Sequence, residues 1–570
     1  MMAKAKTRKP AAPTRPILPL LDTGVPGLNE VLGGGIPELS FNIIAGDPGA
    51  GKTTLAMQVL FATASHERPG LFISLLGETP IKMLRYQQLF GFFDRGRLGS
   101  DIHLLDLSED ALEGDLERVL LRIITEVNRL RPQVVVVDSF RSLLHSPTPS
   151  APAAEIEKFI QRLAQHLTTW EVTSFLIGEY RSNEARDAVF TVADGILWMS
   201  QEMNRNSVVR RLQVLKVRGM NSMPGLHTMR ISTAGVQVFP RIPQRTRDVR
   251  SRGQERLSTG VAGLDELMGG GIPNGDSLVL AGPTGTGKTT FAMQFVAAGL
   301  EAGEAAVITI FEEHPDAYVE RARSLGLDLA AAVKAGKLRI IYLRPLDLSV
   351  DETLDEIRTA VREVGAQRVV IDSISGFEIA LAPAFRVDFR ESLYRLVGAL
   401  TGLGVTIFST VEVVDTKGHG TELQLTGYRL SFLTDDIISL RYVELEGELR
   451  KALMVVKMRG SDHSREFRTY EIGENGVNLR ASLRAYDGIL TGMPVRQDRL
   501  PIPSHAGLLD QETEVLEMVS SSGAVTAGAV AKQAGLPPTE VTPILERLLQ
   551  LGYIERSGSK YQAAARARGD

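Results

Sequence analysis

Two stretches of the chain set a lysine and a threonine behind closely spaced glycines: Gly46-Asp47-Pro48-Gly49-Ala50-Gly51-Lys52-Thr53 and Gly282-Pro283-Thr284-Gly285-Thr286-Gly287-Lys288-Thr289. Both satisfy G-x-x-x-x-G-K-[ST]. In that pattern glycines let successive backbone N–H groups curl around an anionic phosphate at a helix N-terminus, where the dipole favours negative charge. Gly49 and Gly51, and likewise Gly285 and Gly287, form the cradles. Lys52 and Lys288 are placed to reach the β- and γ-phosphates of ATP, and Thr53 and Thr289 to ligate Mg²⁺. Thr54 and Thr290 follow directly and complete the two ATP-binding sets. From average residue usage, one chance match in a chain of this length has a probability of roughly 2%, and two in register far less.

Each loop needs an acidic partner at the end of a buried strand. "RPQVVVVDS" and "AQRVVIDS" run apolar residues into Asp138 and Asp372. Such a carboxylate orients the cation through its water shell, and a plain helix cap is the alternative use of an Asp there. Phosphoryl chemistry also needs a base or water-positioning group near the γ-phosphate. "AAVITIFEEHP" reads as a strand ending in Glu312-Glu313, and adjacent strand residues face opposite ways, so one faces the nucleotide and the other modulates it. The corresponding "LFISLLGETP" of the first copy keeps Glu78 but has Gly77 at the first position. Farther along, Lys216-Val217-Arg218-Gly219 and Lys457-Met458-Arg459-Gly460 repeat one strand pattern. Positions i and i+2 share a face, so both cationic heads of a pair point one way. That suits clamping the γ-phosphate of a neighbouring subunit's ATP, with a solvated strand face as the competing reading.

The elements that position these groups follow from pattern. Each loop follows an apolar strand-like run (Phe41 to Ala45, Ser277 to Ala281) and precedes an amphipathic helix (Leu55 to Ala62, Phe291 to Ala298). "DTGVPGLNEVLGGGIP" from Asp22 and "STGVAGLDELMGGGIP" from Ser258 introduce the two loops, so the chain is a duplication. Lys52 and Lys288 lie 236 residues apart, which makes each copy a whole domain. The reading is a basic tail over 1–16, expected to be disordered, an α/β domain over 17–240, and an arginine-rich linker over 241–256. A second α/β domain over 257–495 and a proline-rich linker over 496–508 follow. Residues 509–562 read as three short helices and a hairpin, the pattern of a winged helix, before a tail over 563–570.

Composition excludes several classes. The 570 residues are 43% apolar and 23% charged, as in soluble globular proteins, and no apolar run approaches the roughly 20 residues that span a bilayer. No membrane span is expected. With no cysteine there is no disulfide, thiolate metal site or Cys nucleophile, and nine scattered histidines give little basis for zinc. A reducing cytoplasm fits. A net charge of −4 exerts no global pull on nucleic acid.

Over Leu20 to Met493 the assembled residues resemble the KaiC family of circadian-clock ATPases. The resemblance rests on the two "GGGIP" and G-K-T units, the "FEE" pair, the K-x-R-G strands and the segment "SFLTDDIISLRYVELEGELRKALMVVKMRGSDHSREF". It implies two tandem RecA-like P-loop domains, each a mostly parallel twisted sheet with helices on both faces, in a double-ring hexamer with ATP at subunit interfaces. It also implies a slow ATPase in the first ring and a Ser/Thr autokinase in the second, with Glu312 as general base and Lys457 and Arg459 contacting ATP across the interface. The family's Ser-Thr acceptor pair reads Ser431-Phe432 here. One acceptor, Ser431, is retained, Thr426 is a secondary acceptor or a plain loop residue, and a multi-step phosphorylation cycle is not expected. Gly77 removes a carboxylate from the first ring's hydrolytic site while leaving its ATP binding. The acidic tail that binds KaiA is replaced by the winged-helix segment, so KaiA is not an expected partner, whereas a KaiB-like or other signalling protein is compatible.

Two other readings compete. A RecA/Rad55-like DNA-associated ATPase would use Leu143 to Ala154 and Ile379 to Glu391 as channel loops, of which only the second is basic, through Arg386 and Arg390. An ATP-gated scaffold would use nucleotide for assembly alone. In the winged-helix segment the recognition helix, Pro538 to Leu551, carries Glu540, Glu546 and Arg547, which favours protein contact or inter-ring packing over DNA. Arg547, Arg556 and Lys560 are its phosphate contacts on the DNA reading.

Overall fold

The computed structural model describes residues 18–75, 80–113, 115–139, 153–169, 171–180, 188–204, 207–241, 255–343, 348–387, 389–413, 434–489, 494–496 and 510–563. The first domain contributes β1 (Phe41–Gly46), β2 (Gly70–Ser74), β3 (Ile102–Asp106), β4 (Val134–Asp138), β5 (Thr173–Glu179), β6 (Gly195–Asn204), β7 (Ser207–Val217), β8 (Leu226–Ser232) and β9 (Gly235–Phe239). They form one sheet in the order β9-β8-β7-β6-β1-β5-β4-β2-β3. Pairing is parallel from β6 to β3 and antiparallel from β6 to β9.

The second domain repeats this plan. Its strands are β10 (Ser277–Gly282), β11 (Ala306–Ile310), β12 (Leu338–Tyr342), β13 (Arg368–Asp372), β14 (Thr406–Glu412), β15 (Asp436–Leu445), β16 (Glu448–Lys457), β17 (Arg468–Gly473) and β18 (Gly476–Ser482). The order β18-β17-β16-β15-β10-β14-β13-β11-β12 matches the first sheet strand for strand. The chain is therefore α/β with two tandem RecA-like domains, as read from the sequence.

The parallel strands are unbroken apolar runs because both of their faces are covered. In β4, Val135 and Val137 enter the core on one face while Val134 and Val136 enter that on the other. In β13, Val369 and Ile371 face one core and Val370 the other, with Arg368 standing where the fourth valine would be. Arg368 is 1% exposed. Its Nε pairs with Glu304, its Nη1 donates to the carbonyls of Ser258 and Phe295 at 2.7 Å each, and its guanidinium lies 4.5 Å over the Phe295 ring.

The helices behind the phosphate loops, α1 (Lys52–Thr63) and α2 (Lys288–Glu301), begin three residues earlier than expected. Their N-caps, Gly51 and Gly287, hold φ of 98° and 94°, which lets the chain turn from loop to helix without a Cβ penalty. Strand β11 stops at Ile310, short of Glu312-Glu313, because its parallel ladders to β12 and β13 run out there. The segment expected as a second channel loop is helical instead, spanning Ile374–Ala380, Pro383–Arg386 and Phe389–Gly402, and Arg386 is spent on the carbonyls of Ile379 and Leu381. The other channel segment lies almost wholly outside the described residues.

The domains meet where α3 (Val350–Val364) of the second lies against β8 and β9 of the first. Arg230 on β8 pairs with Glu352 at 2.8 Å, Arg241 with Glu391 at 3.0 Å and Glu30 with Arg358 at 3.7 Å. The C-terminal unit consists of α4 (Asp510–Ser522), β19 (Val525–Thr526), α5 (Ala527–Ala534), α6 (Pro538–Gln550), β20 (Ile554–Ser557) and β21 (Lys560–Ala563) around its own apolar cluster. Among the described residues no helix is long and apolar enough to cross a membrane.

Candidate nucleotide sites

The first phosphate loop connects β1 to α1 at the carboxyl edge of the parallel strands. Gly46, Gly49 and Gly51 all have positive φ. A Cβ on Gly46 would collide with the Met199 carbonyl and one on Gly51 with Ile231, so side chains are excluded by space as well as by backbone angle. Lys52 is 6% exposed and folds over the loop, donating to the carbonyls of Gly46 at 3.1 Å and Asp47 at 2.8 Å. Burial lowers its pKa, opposed by the charges of Glu179, Asp138 and Asp47. The Thr53 hydroxyl donates to the Asp138 carboxylate at 2.7 Å. Lys52, Thr53, Thr54, Asp138 and Glu179 line one cavity of about 300 Å³. A hydroxyl and a carboxylate oxygen side by side form a hard donor pair that fits Mg²⁺, which tolerates one or two protein oxygens and keeps the rest of its shell as water and phosphate.

The second loop repeats the design with differences. Lys288 donates to the carbonyls of Gly282 and Pro283 at 2.9 Å each, and burial lowers its pKa. Asp372 accepts from Thr410 at 2.5 Å and is also hydrogen-bonded by Thr289, while burial pushes its carboxyl up, as for an acid that wants a cation beside it. Thr290, one turn position on, is 8% exposed. Ile472 abuts Gly287 as Ile231 abuts Gly51. Two tyrosines, however, buttress this loop alone: Tyr470 donates to the Thr286 carbonyl at 2.7 Å and Tyr442 to that of Thr284 at 3.3 Å. Gln201 and Met229 hold the corresponding strand positions in the first domain.

Glu312 and Glu313 lie beyond the end of β11, so strand alternation does not set their directions, yet their side chains diverge. Glu312 accepts from the Ser373 hydroxyl at 3.2 Å, directly beside Asp372, whereas Glu313 turns to Arg321 at 2.6 Å.

A family model for the KaiC ATPase matches residues 21–242 and again residues 257–483. The chain belongs to the KaiC family. It is 31% identical over 499 residues to the circadian clock oscillator protein KaiC of Parathermosynechococcus lividus, covering 84% of this chain and 88% of that protein. KaiC 1 of Synechocystis sp. is 31% identical over 491 residues, covering 83% and 91%. KaiC of Rippkaea orientalis is 31% identical over 494 residues, covering 83% and 91%.

In this member of the KaiC family the loop glycines, both lysines and threonines and both strand-end aspartates come together as the sequence suggested. The K-x-R-G residues do not join them. Lys216 donates to the Ala193 carbonyl and Arg218 pairs with Asp194 at 3.0 Å, while Lys457 donates to the Thr434 carbonyl at 2.6 Å and Arg459 stands 3.7 Å from Asp435. Those partners precede β6 and β15, which start level with Asn42 and Leu278. Each pair therefore sits at the amino end of the sheet, four residues or roughly 13 Å from its own phosphate loop. Glu78, Thr426 and Ser431 lie outside the described residues.

Sequence reasoning missed Glu179 and Glu412, the last residues of β5 and β14. Register sets them opposite Gly46 and Gly282. The signal was present: "SFLIGE" and "TIFSTVE" both end in Glu, in corresponding places of the duplication.

Proposed function

We propose that this KaiC-family ATPase hydrolyses ATP slowly at its first site and phosphorylates itself on Ser431 from its second, with Thr426 as a secondary acceptor. The observation that carries the reading is Glu312, held by Ser373 next to Asp372 and close enough to Lys288 for its charge to bear on that ammonium. In the transfer, the seryl oxygen bonds to the γ-phosphorus and the bond to the β,γ-bridging oxygen breaks, its electron pair leaving on ADP. Glu312 takes the hydroxyl proton. Glu313, tied to Arg321, modulates that carboxylate. Glu78, which matches Glu313 in the duplication, holds that modulating role in the first site. Mg²⁺ bound by Thr53 with Asp138, and by Thr289 with Asp372, would neutralise charge on the phosphates.

The reading includes a hexameric double ring in the cytoplasm. Lys216, Arg218, Lys457 and Arg459 stand far from their own loops, which supports their action on a neighbouring subunit's ATP. A KaiB-like or other signalling protein is the expected partner class. DNA is disfavoured in the C-terminal unit, which we read as a winged helix. There Arg547 pairs with the buried Glu512 at 3.2 Å, and Arg556 stacks 5.4 Å over Tyr561. Two of the three phosphate contacts that DNA would use are engaged within the unit.

The test is incubation with γ-labelled ATP and Mg²⁺, wild type beside Glu312→Gln, followed by phosphopeptide mapping. Label at Ser431 that is lost in the Gln variant is the expected result. ATP binding without any label would leave an ATP-gated switch or scaffold as the function.

A further inference from the structure

The first domain carries a glycine, Gly77, where the second has its reacting carboxylate, yet a different acid faces its phosphate loop. We propose that Glu179 positions the attacking water and accepts its proton during ATP hydrolysis in the first domain, an inference that rests on the hydrolytic reading of that site.

Three observations place Glu179 there. It lines the same cavity as Lys52, Thr53 and Asp138. Ile177 lines it too, and residues two apart on a strand share a face, so the end of β5 presents its side chains to this cavity. Register then fixes the height. Glu179 is opposite Gly46, the first residue of the loop, and the Tyr180 N–H donates to the Gly46 carbonyl at 3.1 Å, tying strand end to loop start. Adjacent strands are about 4.8 Å apart, which keeps the Glu179 backbone one strand spacing from the loop. The residue is exposed, so water has access.

The second domain shows what duplication has altered. Glu412 occupies the same register position opposite Gly282, but its carboxylate is engaged by the Thr284 hydroxyl, a residue of the loop itself, and its N–H donates to Ser375 at 3.2 Å. At the position of Thr284 the first loop has Pro48, which offers no hydroxyl. Glu412 is thus a brace for its loop, with Glu312 nearby for chemistry. In the first domain Glu179, at the matching position, lines the cavity with Lys52 and Asp138.

The step balances. The water oxygen bonds to the γ-phosphorus, and the bond to the bridging oxygen breaks with its pair leaving on ADP. The water proton passes to the Glu179 carboxylate and from there to phosphate or solvent.

The experiment uses the full chain with Lys288→Ala, so that the first site alone turns over, and compares it with the same chain carrying added Glu179→Gln. Phosphate release and ATP affinity are measured separately. General-base loss costs about 10² to 10⁴ in rate, so Glu179→Gln is expected to lower kcat at least about a hundredfold with ATP affinity held within about threefold. Turnover in the Glu179→Gln chain equal to that of the parent overturns the assignment and leaves the hydrolytic reading intact. A parent that binds ATP and releases no phosphate overturns both.

Discussion

Arg368→Val is the sharpest perturbation of the fold, because the first domain already has valine at the matching position, Val134. The guanidinium makes two bonds of 2.7 Å to the Ser258 and Phe295 carbonyls, an ion pair with Glu304 and a stack on Phe295. Charged hydrogen bonds contribute about 1.5 to 3 kcal/mol each, and removing one member of a buried pair costs about 3 to 5 kcal/mol. Glu304 is 21% exposed at its side chain and can regain water, and the Phe295 carbonyl lies within α2, so the lower end, about 3 kcal/mol, is the expected loss. That is more than a hundredfold in the opening equilibrium. Hydrogen exchange read by mass spectrometry should show it in peptides from β13 and α2, with β4 and α1 as unshifted references. A second substitution tests the packing argument. A Cβ on Gly299 would collide with Arg368, so Gly299→Ala destabilises the wild type. In the Arg368→Val chain the space is free, and the same change stabilises α2 by up to about 1 kcal/mol through helix propensity. A loss under about 1 kcal/mol for Arg368→Val, or one sign for Gly299→Ala in both backgrounds, refutes the reasoning.

Lys52→Ala and Lys288→Ala should each remove nucleotide from one domain only, so that ATP bound per chain in equilibrium dialysis falls by half in either variant and to background in the double variant. Tyr470→Phe removes the bond to the Thr286 carbonyl; it should cost the second domain about 1 kcal/mol in denaturation and weaken ATP binding there, with the first site unchanged. The interdomain acids give a pH prediction. Burial pushes Asp351, Glu352 and Glu356 above their ordinary values, opposed by Arg395 for the first and Arg230 for the other two. The folded protein then holds more protons than the unfolded chain between the ordinary and raised values, so these groups favour folding at the acid end of that window and lose this contribution as pH rises through it. Relative to Glu356→Gln, the wild type should lose stability as pH is raised from about 4.5; a relative gain over that range would contradict the burial argument.

How much the sequence disclosed depended on how local the information was. The loops are consecutive residues whose spacing encodes their geometry, and the aspartates follow apolar runs, so Lys52, Thr53, Asp138 and their counterparts were legible. Glu179 and Glu412 are set against the loops by strand register across more than a hundred residues, which no local pattern prints. Tyr470 and Ile231 reach the loops from antiparallel strands later still. Arg368 carries no local mark of its burial, since that burial depends on the missing side chain of Gly299. The K-x-R-G pairs were found by pattern, but only the ladder starting at Asn42 and Leu278 set them at the opposite end of the sheet.

Strand β8 touches two things at once. Ile231 presses on Gly51 of the first phosphate loop, and the residue before it, Arg230, grips Glu352 at the start of α3. Helix α3 in turn packs on β11, the strand that leads into Glu312. Because Ile231 and Arg230 are consecutive residues of one hydrogen-bonded strand, the contact with the loop and the contact with the neighbouring domain share a single backbone. The two phosphate loops of a chain are thus joined through consecutive packed elements, with Arg230 and Glu352 forming a charged contact between β8 and α3.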